Sequence, residues 1–308
     1  FIEAVGARGG SQPSKDPGLG AYMRGEFNLT AGQELNILVG QMGVSTSTSS
    51  SGAGGGGGTF VVADSNNTPL IVAGGGSGAS GDQHGKDAST NTSGLNGSGS
   101  PSAGGTNGSG GQGQYGGGGG GFLESGTGKN NYEGKSFQLG GTGGDGAKGG
   151  GFGGGGSNNS SSSSWDNSGG GGGYSGGGGS GNSSGNDAGG GGGSYNSGTN
   201  QFNISTGGNS HGYVRIFRAE GVNPGKPKLI LLDSRWTAKN KTVLLEALGA
   251  GYRFATSEEV TKAREAATPG SVNNWTATRQ IKPRNLPGAV NEYGFDVSTT
   301  SGTWVIKE

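Results

Sequence analysis

The sequence predicts a mainly β protein: an antiparallel β-sandwich that carries an inserted polyglycine II helix bundle, followed by a small α/β domain. Three observations predict it. Glycine supplies 79 of the 308 residues. Short apolar segments with strand-like alternation flank the glycine-rich stretch 74–193. Ordinary composition resumes after residue 218, so the predicted parts are a glycine-rich domain at 1–218, a linker at 219–228 and an α/β domain at 229–308.

The glycine-rich stretch has two interpretations, a flexible glycine/serine linker or a packed bundle of extended helices that make no internal hydrogen bonds. Ordering one residue costs roughly 1–2 kcal/mol, and one hydrogen bond contributes only about 0.5–1.5 kcal/mol. A bundle therefore needs a partner in a neighbouring segment for nearly every N–H and C=O. Only glycine lets backbones approach that closely. The expected structural glycines include Gly54, Gly56, Gly75, Gly118, Gly154, Gly171, Gly177 and Gly191.

Such a bundle needs a frame at its ends, and the flanks look like one. Leu35, Ile37 and Val39 share one face of a predicted strand, and Ala31–Gly32 predicts the turn of a hairpin before it. A second hairpin is predicted around Ser65–Asn66–Asn67. The predicted strands are 1–7, 25–32, 33–40, 59–64, 69–74, 201–205 and 212–218. Several glycine runs are followed closely by one large ring, at Phe122, Phe152, Tyr174 and Tyr195.

Residues 229–308 carry both strand and helix signals. Thr256 and Glu259 form a capping box that starts a helix ending before Pro269. Gly249 occupies the usual cap position after an earlier helix. The predicted strands are 229–234, 251–255, 275–281, 292–297 and 303–308, and the predicted helices are 241–248 and 256–267.

The sequence offers little material for catalysis. It contains no cysteine and two histidines, which leaves no thiol nucleophile and no zinc–thiolate site. His84 lies near Asp82 and Asp87, an arrangement that fits a metal site or, more simply, a polar turn. His211 is expected to be structural. We therefore expect no enzyme, no cofactor and no metal site.

Charge and hydropathy exclude two classes of partner. The formal net charge is +0, and neither part of the chain is charged enough to predict binding to nucleic acid or to an anionic membrane. No apolar segment reaches membrane-spanning length.

A set of motifs occurs in an order that resembles a known family. The motifs are GARGG (6–10), LTAGQELNILVGQMG (29–43), GGGGGTFVV (54–62), PLIVAGGG (69–76), GGGGGGF (116–122), GGGGGYSGGG (169–178) and HGYVRI (211–216). They resemble the glycine-rich domain of the anaplastic lymphoma kinase and leukocyte tyrosine kinase ectodomains and of related microbial surface proteins. A weaker similarity is to phage tail-fibre adhesins with polyglycine helix bundles.

This resemblance covers about residues 1–218 and implies a fold and a role. The fold would be a tumour-necrosis-factor-like jelly roll with an inserted polyglycine bundle, and in the receptors this domain takes part in ligand recognition. The family's strands before the position of Phe1 do not occur in this sequence, nor do the receptors' cysteines, transmembrane helix and kinase. Receptor signalling is therefore not implied.

The first functional hypothesis is a subunit of an extracellular filament or matrix. The segment with Phe1, Ile2 and Val5 is predicted to be a strand without a preceding partner, and an apolar strand with Trp304, Val305 and Ile306 ends the chain. An open strand edge accepts a strand from a neighbouring copy. We therefore expect self-assembly by strand pairing between subunits, outside the cell or on its surface, after processing at Phe1.

The alternative is an adhesin or receptor-type module that binds a glycan or a protein through loops of the bundle. Trp165, in the loop 158–165, is the candidate contact, although its ring also suits a lid folded over the bundle. Ice binding is a third hypothesis, which the bulky Phe and Tyr rings disfavour.

Overall fold

The computed structural model describes residues 1–49, 51–64, 67–158, 167–181 and 187–217, together with the backbone of three strands beyond residue 227. The chain divides into two compact units, Phe1–Arg218 and Ala219–Glu308. The strands are β1 (Ile2–Val5), β2 (Gly20–Glu26), β3 (Leu35–Leu38), β4 (Thr59–Ala63), β5 (Thr68–Ala73), β6 (Tyr195–Asn196), β7 (Thr199–Gly208), β8 (Tyr213–Ile216), β9 (Lys228–Leu232), β10 (Tyr252–Phe254) and β11 (Thr303–Lys307).

The first unit is built from two antiparallel sheets, which is consistent with the predicted sandwich. One sheet has the order β7-β2-β1-β8, and the other has the order β3-β4-β5-β6. Between β5 and β6 the described chain has no strand and only one short 3-10 helix, Phe137–Leu139. The glycine-rich stretch therefore leaves the second sheet after Ala73 and returns to it at Tyr195.

The hairpin formed by β4 and β5 is confirmed, since the two strands pair antiparallel from Thr59 opposite Ala73 to Ala63 opposite Thr68. The hairpin predicted across residues 25–40 is wrong. A turn does occur there, because the Gln33 N–H donates to the Thr30 carbonyl at 3.1 Å and Gly32 has φ 84°. However, β2 pairs with β1 and β7, whereas β3 pairs with β4 in the other sheet. The turn is therefore a crossing between sheets.

Two clusters of buried side chains form the core. The first joins the two sheets through Ile2, Ala4, Ala21, Met23, Val61, Ile71 and Ala73. The second lies on the opposite face of β4 and β5, where Phe60, Val62 and Val72 pack with Leu38 and Phe122. Alternate residues of β4 pack in different clusters, so all five residues of the strand are buried. A continuous apolar run in the sequence is consistent with a strand that is buried on both faces.

The described part of the second unit is a three-stranded antiparallel sheet with the order β10-β11-β9. The strands predicted at 229–234, 251–255 and 303–308 are confirmed in position. The predicted helices at 241–248 and 256–267 and the predicted strands at 275–281 and 292–297 lie outside the described residues.

Candidate functional site: a glycine array and an aromatic ladder

The segment 169–174 lies at the centre of the glycine-rich region. Backbone N–H groups that are three residues apart in this segment donate to the same neighbouring segment. Three neighbouring segments accept these hydrogen bonds, at 2.8 to 3.1 Å. Its carbonyl groups accept in turn from Gly78, Gly156, Gly177 and Gly75. The donor–acceptor pairs are Gly169 to Ala53, Gly170 to Gly117, Gly171 to Gly190, Gly172 to Gly56, Gly173 to Gly120 and Tyr174 to Gly193.

The same period of three occurs in other segments. Together we call 53–58, 75–79, 116–121, 149–156, 169–173, 176–181 and 189–193 the glycine array. Segment 149–156 departs from the period, because it turns at residues 152–154 and its Gly155 N–H donates to the Gly151 carbonyl within the segment. In one segment the pairs are Ala53 to Ala79, Gly54 to Val44, Gly55 to Gly156, Gly56 to Gly76, Gly57 to Gln41 and Gly58 to Gly153. In another they are Gly176 to Ser109, Gly177 to Gly171, Gly178 to Leu95, Gly179 to Gln112, Ser180 to Ser168 and Gly181 to Ser98.

The pattern also extends beyond the predicted boundaries 74–193. Residues 6–10, directly after β1, donate from Gly6 and Gly9 to one segment and from Ala7 and Gly10 to another. Residues 41–44 donate from Gln41 to Phe152 and from Val44 to Gly149. Segments that begin or end at strands of the sandwich therefore continue directly into the array.

Close backbone contact explains why glycine fills these segments. A Cβ built on Gly118 would lie 1.9 Å from the Gly111 carbonyl oxygen, and one on Gly171 would lie 2.0 Å from that of Gly75. All eight glycines that the sequence singles out would bring a Cβ within 3.0 Å of a backbone oxygen, namely Gly54, Gly56, Gly75, Gly118, Gly154, Gly171, Gly177 and Gly191. Carbon atoms do not approach carbonyl oxygens so closely without displacing the chain, so these positions exclude any side chain.

Five aromatic rings form a continuous stack beside the array, which we call the aromatic ladder. Its order is Phe60, Phe137, Phe122, Tyr174 and Tyr195, with ring centroids 5.0, 5.2, 6.2 and 4.8 Å apart in turn. The last three contacts are stacked, with interplanar angles of 17°, 17° and 23°. Phe60, Phe122, Tyr174 and Tyr195 each follow a glycine run by one or two residues, so the ladder fixes the axial position of one run relative to the next.

Phe152, the remaining ring that follows a glycine run, has no ring contact among the described residues and is 37% exposed. Leu123, directly after Phe122, and Leu139, at the end of the 3-10 helix Phe137–Leu139, are also exposed, Leu139 to 69%. Leu123 follows the end of segment 116–121, and Phe152 lies at the bend of segment 149–156.

Buried serines and one asparagine complete the hydrogen bonding where glycine runs begin or end. The Ser194 hydroxyl accepts the Gly74 N–H at 3.0 Å and donates to the Ser89 carbonyl at 2.6 Å. The Ser168 hydroxyl accepts the Gly189 N–H, and the Asn158 amide donates to the Gly52 carbonyl at 2.7 Å. Sequence reasoning missed these residues. The two serines do have a signal, since Ser168 lies directly before a glycine run and Ser194 directly after one.

The two histidines bind backbone amides. His84 Nδ1 accepts the Asp16 N–H at 3.1 Å, and His211 Nδ1 accepts the Met42 N–H at 3.2 Å. Asp87 instead accepts the Leu19 N–H at 2.7 Å. Burial raises the pKa of the Asp87 carboxyl, and the Leu19 hydrogen bond opposes this shift. No group of three or more metal-ligating side chains occurs within the described ranges.

The sheet β7-β2-β1-β8 carries a polar row on the face opposite its core. Glu3 lies directly between Arg24 and Arg215 on the neighbouring strands, and Arg215 Nη1 is 3.9 Å from the Glu3 carboxylate. Next to this row, burial raises the pKa of Tyr22 well above 10.0, and Glu3 adds to the shift through charge repulsion and a hydrogen bond. Burial also raises the pKa of Tyr213 to about 12.

The strands proposed for assembly do not present free edges. β1, with Ile2 and Val5, pairs with β2 on one side and β8 on the other. β11, with Trp304, Val305 and Ile306, pairs with both β10 and β9. The Phe1 amino group donates to the Phe217 carbonyl at 2.9 Å. The expectation that β1 lacks a partner is therefore wrong, because β8, from the end of the sandwich, supplies it. Trp165 lies outside the described residues.

No described helix has both the length and the apolar character needed to cross a membrane. No protein-family profile matches the chain, and a search of curated proteins gives no match either. The resemblance to the receptor ectodomains thus stays a prediction from the motifs alone.

Proposed function

We propose that the glycine array is a bundle of polyglycine II helices and that the chain is a non-enzymatic structural protein of the cell surface or extracellular matrix. The observation that carries this proposal is the period of three in the backbone hydrogen bonds of 53–58, 169–174 and 176–181. A polyglycine II helix has three residues per turn and makes no internal hydrogen bonds, so successive residues must bind neighbours in three directions. The jelly-roll topology implied by the resemblance stays a prediction.

A structural role follows from how the array is stabilised. In a conventional domain, side-chain packing holds the elements together. In this array, hydrogen bonds in three directions hold neighbouring segments together. Glycine has no side chain whose conformational freedom would be lost on folding. Each hydrogen bond contributes about 0.5–1.5 kcal/mol, and the bonds run between segments distant in sequence, such as Gly170 to Gly117. Such a cross-linked backbone suits a stiff spacer or subunit.

Self-association is the part of the proposal that needs an interface. Since β1 and β11 are paired on both sides, strand pairing between subunits would have to use strands at the outer edges of the sheets. Negative-stain electron microscopy of native material, with light scattering of purified chain over a wide concentration range, tests this. Fibres or concentration-dependent oligomers are expected. A chain that stays monomeric at every concentration overturns self-assembly.

A second candidate function, recognition of a glycan or protein, rests on three exposed apolar side chains, Leu123, Leu139 and Phe152. Their segments adjoin one another, since the Gln138 N–H donates to the Phe122 carbonyl and the Gly153 N–H donates to the Gly141 carbonyl. Exposed apolar side chains on adjoining segments often mark a contact surface. Binding in a glycan and protein screen should fall when Leu123 and Leu139 are both changed to Ser. Loss of binding spread evenly over unrelated surface variants would count against this role.

A further inference from the structure

The two sheets of the first unit end in four outer strands, and an outer strand offers unpaired N–H and C=O groups to another strand. These strands are β7 and β8 in one sheet and β3 and β6 in the other. Proteins usually protect such edges with charge, proline, bulges or very short strands. The four edges differ in this protection.

Three of the four edges carry protection. β7 has two register irregularities against β2, and its Gln201 side chain donates to the Asn196 and Gly198 carbonyls. β8 carries a charged residue, Arg215, which lies over the Tyr213 ring at 4.7 Å. β6 is only two residues long.

β3 lacks every one of these features. It reads Leu35-Asn36-Ile37-Leu38, with no charge and no proline, and it pairs with β4 without a register shift. Ile37 is 46% exposed and Val39 is 38% exposed. No backbone hydrogen bond joins β3 to a described segment on the side away from β4. A partner that fits this edge is an extended strand, which would bind the free backbone groups, with apolar side chains on one face to cover Ile37 and Val39.

We propose that β3 is the self-association edge of this protein and that its occupant is β3 of a second copy, in antiparallel pairing about a two-fold axis. The inference deepens the proposed self-assembly and rests on it. A two-fold axis perpendicular to the sheet keeps the two faces distinct, so it pairs residues on the same face of the strand. Centring the axis on Ile37 sets Ile37 against the partner's Ile37 and Leu35 against the partner's Val39.

This register is self-complementary. It covers the exposed Ile37 and Val39 with apolar side chains, and cross-strand apolar pairs of this kind stabilise sheets. It also keeps Glu34 away from the partner's Glu34, since each lies opposite the partner's Gly40. A two-fold contact closes after two copies, so the dimer would be the building block. A filament would need a second, different interface between dimers.

A single cysteine tests the register directly, because the chain has no cysteine of its own. In Ile37→Cys the two thiols would lie opposite each other across the axis. Diamide would then oxidise them to a disulfide, taking up the two electrons and two protons released. Rapid formation of a covalent dimer is expected. Leu95→Cys, at a side chain that is 39% exposed and lies in no strand, is the control and should remain monomeric on the same timescale.

Ile37→Lys tests the energetics, since like charges directly opposite in a β pair are destabilising. Sedimentation analysis should show dimers of the variant only at concentrations about tenfold or more above those of the wild-type chain. Leu95→Lys should dimerise like wild type. If wild type assembles while Ile37→Lys assembles equally well and Ile37→Cys does not crosslink, the β3 edge is overturned and self-assembly stands. If wild type never assembles, the proposed function fails as well.

Discussion

The Gly170 N–H donates to the carbonyl oxygen of Gly117 at 3.0 Å. Three residues later Gly173 makes the equivalent bond to Gly120 at 3.1 Å. The intervening N–H groups donate to other segments, so one glycine run is hydrogen-bonded to several neighbouring segments. Backbone hydrogen bonds therefore hold this region together.

The aromatic ladder should be the main side-chain contribution to the stability of the array. Phe122 is 4% exposed and stacks on Phe137 and Tyr174, so Phe122→Ala should lower the free energy of unfolding by about 3–5 kcal/mol. Urea denaturation measures this. The adjacent Leu123 is 46% exposed, and Leu123→Ala should change stability by no more than about 0.5 kcal/mol. Equal losses in the two variants would show that the ladder is not a packed core.

The partly buried charge of the Asp87 carboxylate should make the protein less stable at neutral pH than at low pH. Burial raises the pKa of its carboxyl above the ordinary 3.8, so the folded state holds the proton more tightly than the unfolded state. The favourable contribution is complete below pH 3.8 and is lost as pH rises through the folded pKa. Asp87→Asn keeps an oxygen for the Leu19 N–H, so at pH 7 it should match or exceed wild-type stability. Its advantage should disappear below pH 3.8.

Asp87→Ala is the control for the hydrogen bond itself. It leaves the Leu19 N–H without its acceptor, which should cost about 1–3 kcal/mol at pH 7. Thermal unfolding across the pH range separates the two effects. A large loss in Asp87→Asn at pH 7 would contradict the assignment of an unfavourable buried charge.

Tyrosine burial sets an upper pH limit for this sandwich. Burial raises the pKa of Tyr213 from 10.0 to about 12, so the folded state resists losing the phenol proton. This stabilising contribution is present below pH 10 and is lost as pH rises towards 12. Urea unfolding at pH 7 to 11.5 should show stability falling above pH 10, with a smaller fall in Tyr213→Phe.

At neutral pH the same variant tests hydrogen bonding. The Tyr213 hydroxyl is buried and has no hydrogen-bond partner among the residues that the structure describes, so Tyr213→Phe should be neutral or stabilising by up to about 1 kcal/mol. Tyr22→Phe removes a hydroxyl that bonds to Glu3 and should be destabilising. A large loss of stability in Tyr213→Phe at pH 7 would show that the hydroxyl is hydrogen-bonded in solution.

Strand positions were predictable where the local pattern of apolar side chains matches the way the strand packs in the core. The β4–β5 hairpin follows from two apolar runs around a turn-rich tripeptide, and the structure confirms it. The 25–40 hairpin failed because the local turn signal at Gly32 is correct while the strands it joins enter different sheets. Met23 of β2 packs in the cluster shared with Val61 and Ile71, a tertiary requirement that no local pattern expresses.

The arrangement of the glycine segments was not predictable from composition. Consecutive glycines are chemically identical, so nothing in a run says that Gly172 binds Gly56 while Gly171 binds Gly190. The informative residues are those at the ends of runs, such as Tyr174 in the ladder and Ser194 at the Gly74 N–H. The pairing of β1 with β8 likewise depends on strands from opposite ends of the first unit.

Two glycines provide the most direct test of backbone packing between segments. A Cβ on Gly171 would lie 2.0 Å from the carbonyl oxygen of Gly75, which belongs to another segment of the array, whereas one on Gly149 would come no closer than 3.6 Å to any atom beyond its two chain neighbours. Neither residue has positive φ, so both accept alanine conformationally.

The central measurement is therefore the free energy of unfolding of Gly171→Ala and Gly149→Ala, compared with wild type. Packed backbones predict that Gly171→Ala loses about 1–3 kcal/mol or more through overpacking. Gly149→Ala should be neutral or stabilised by up to about 1 kcal/mol, since alanine has less freedom in the unfolded chain. Equal stability of both variants would contradict a close-packed glycine array and return this region to a loosely held glycine/serine chain.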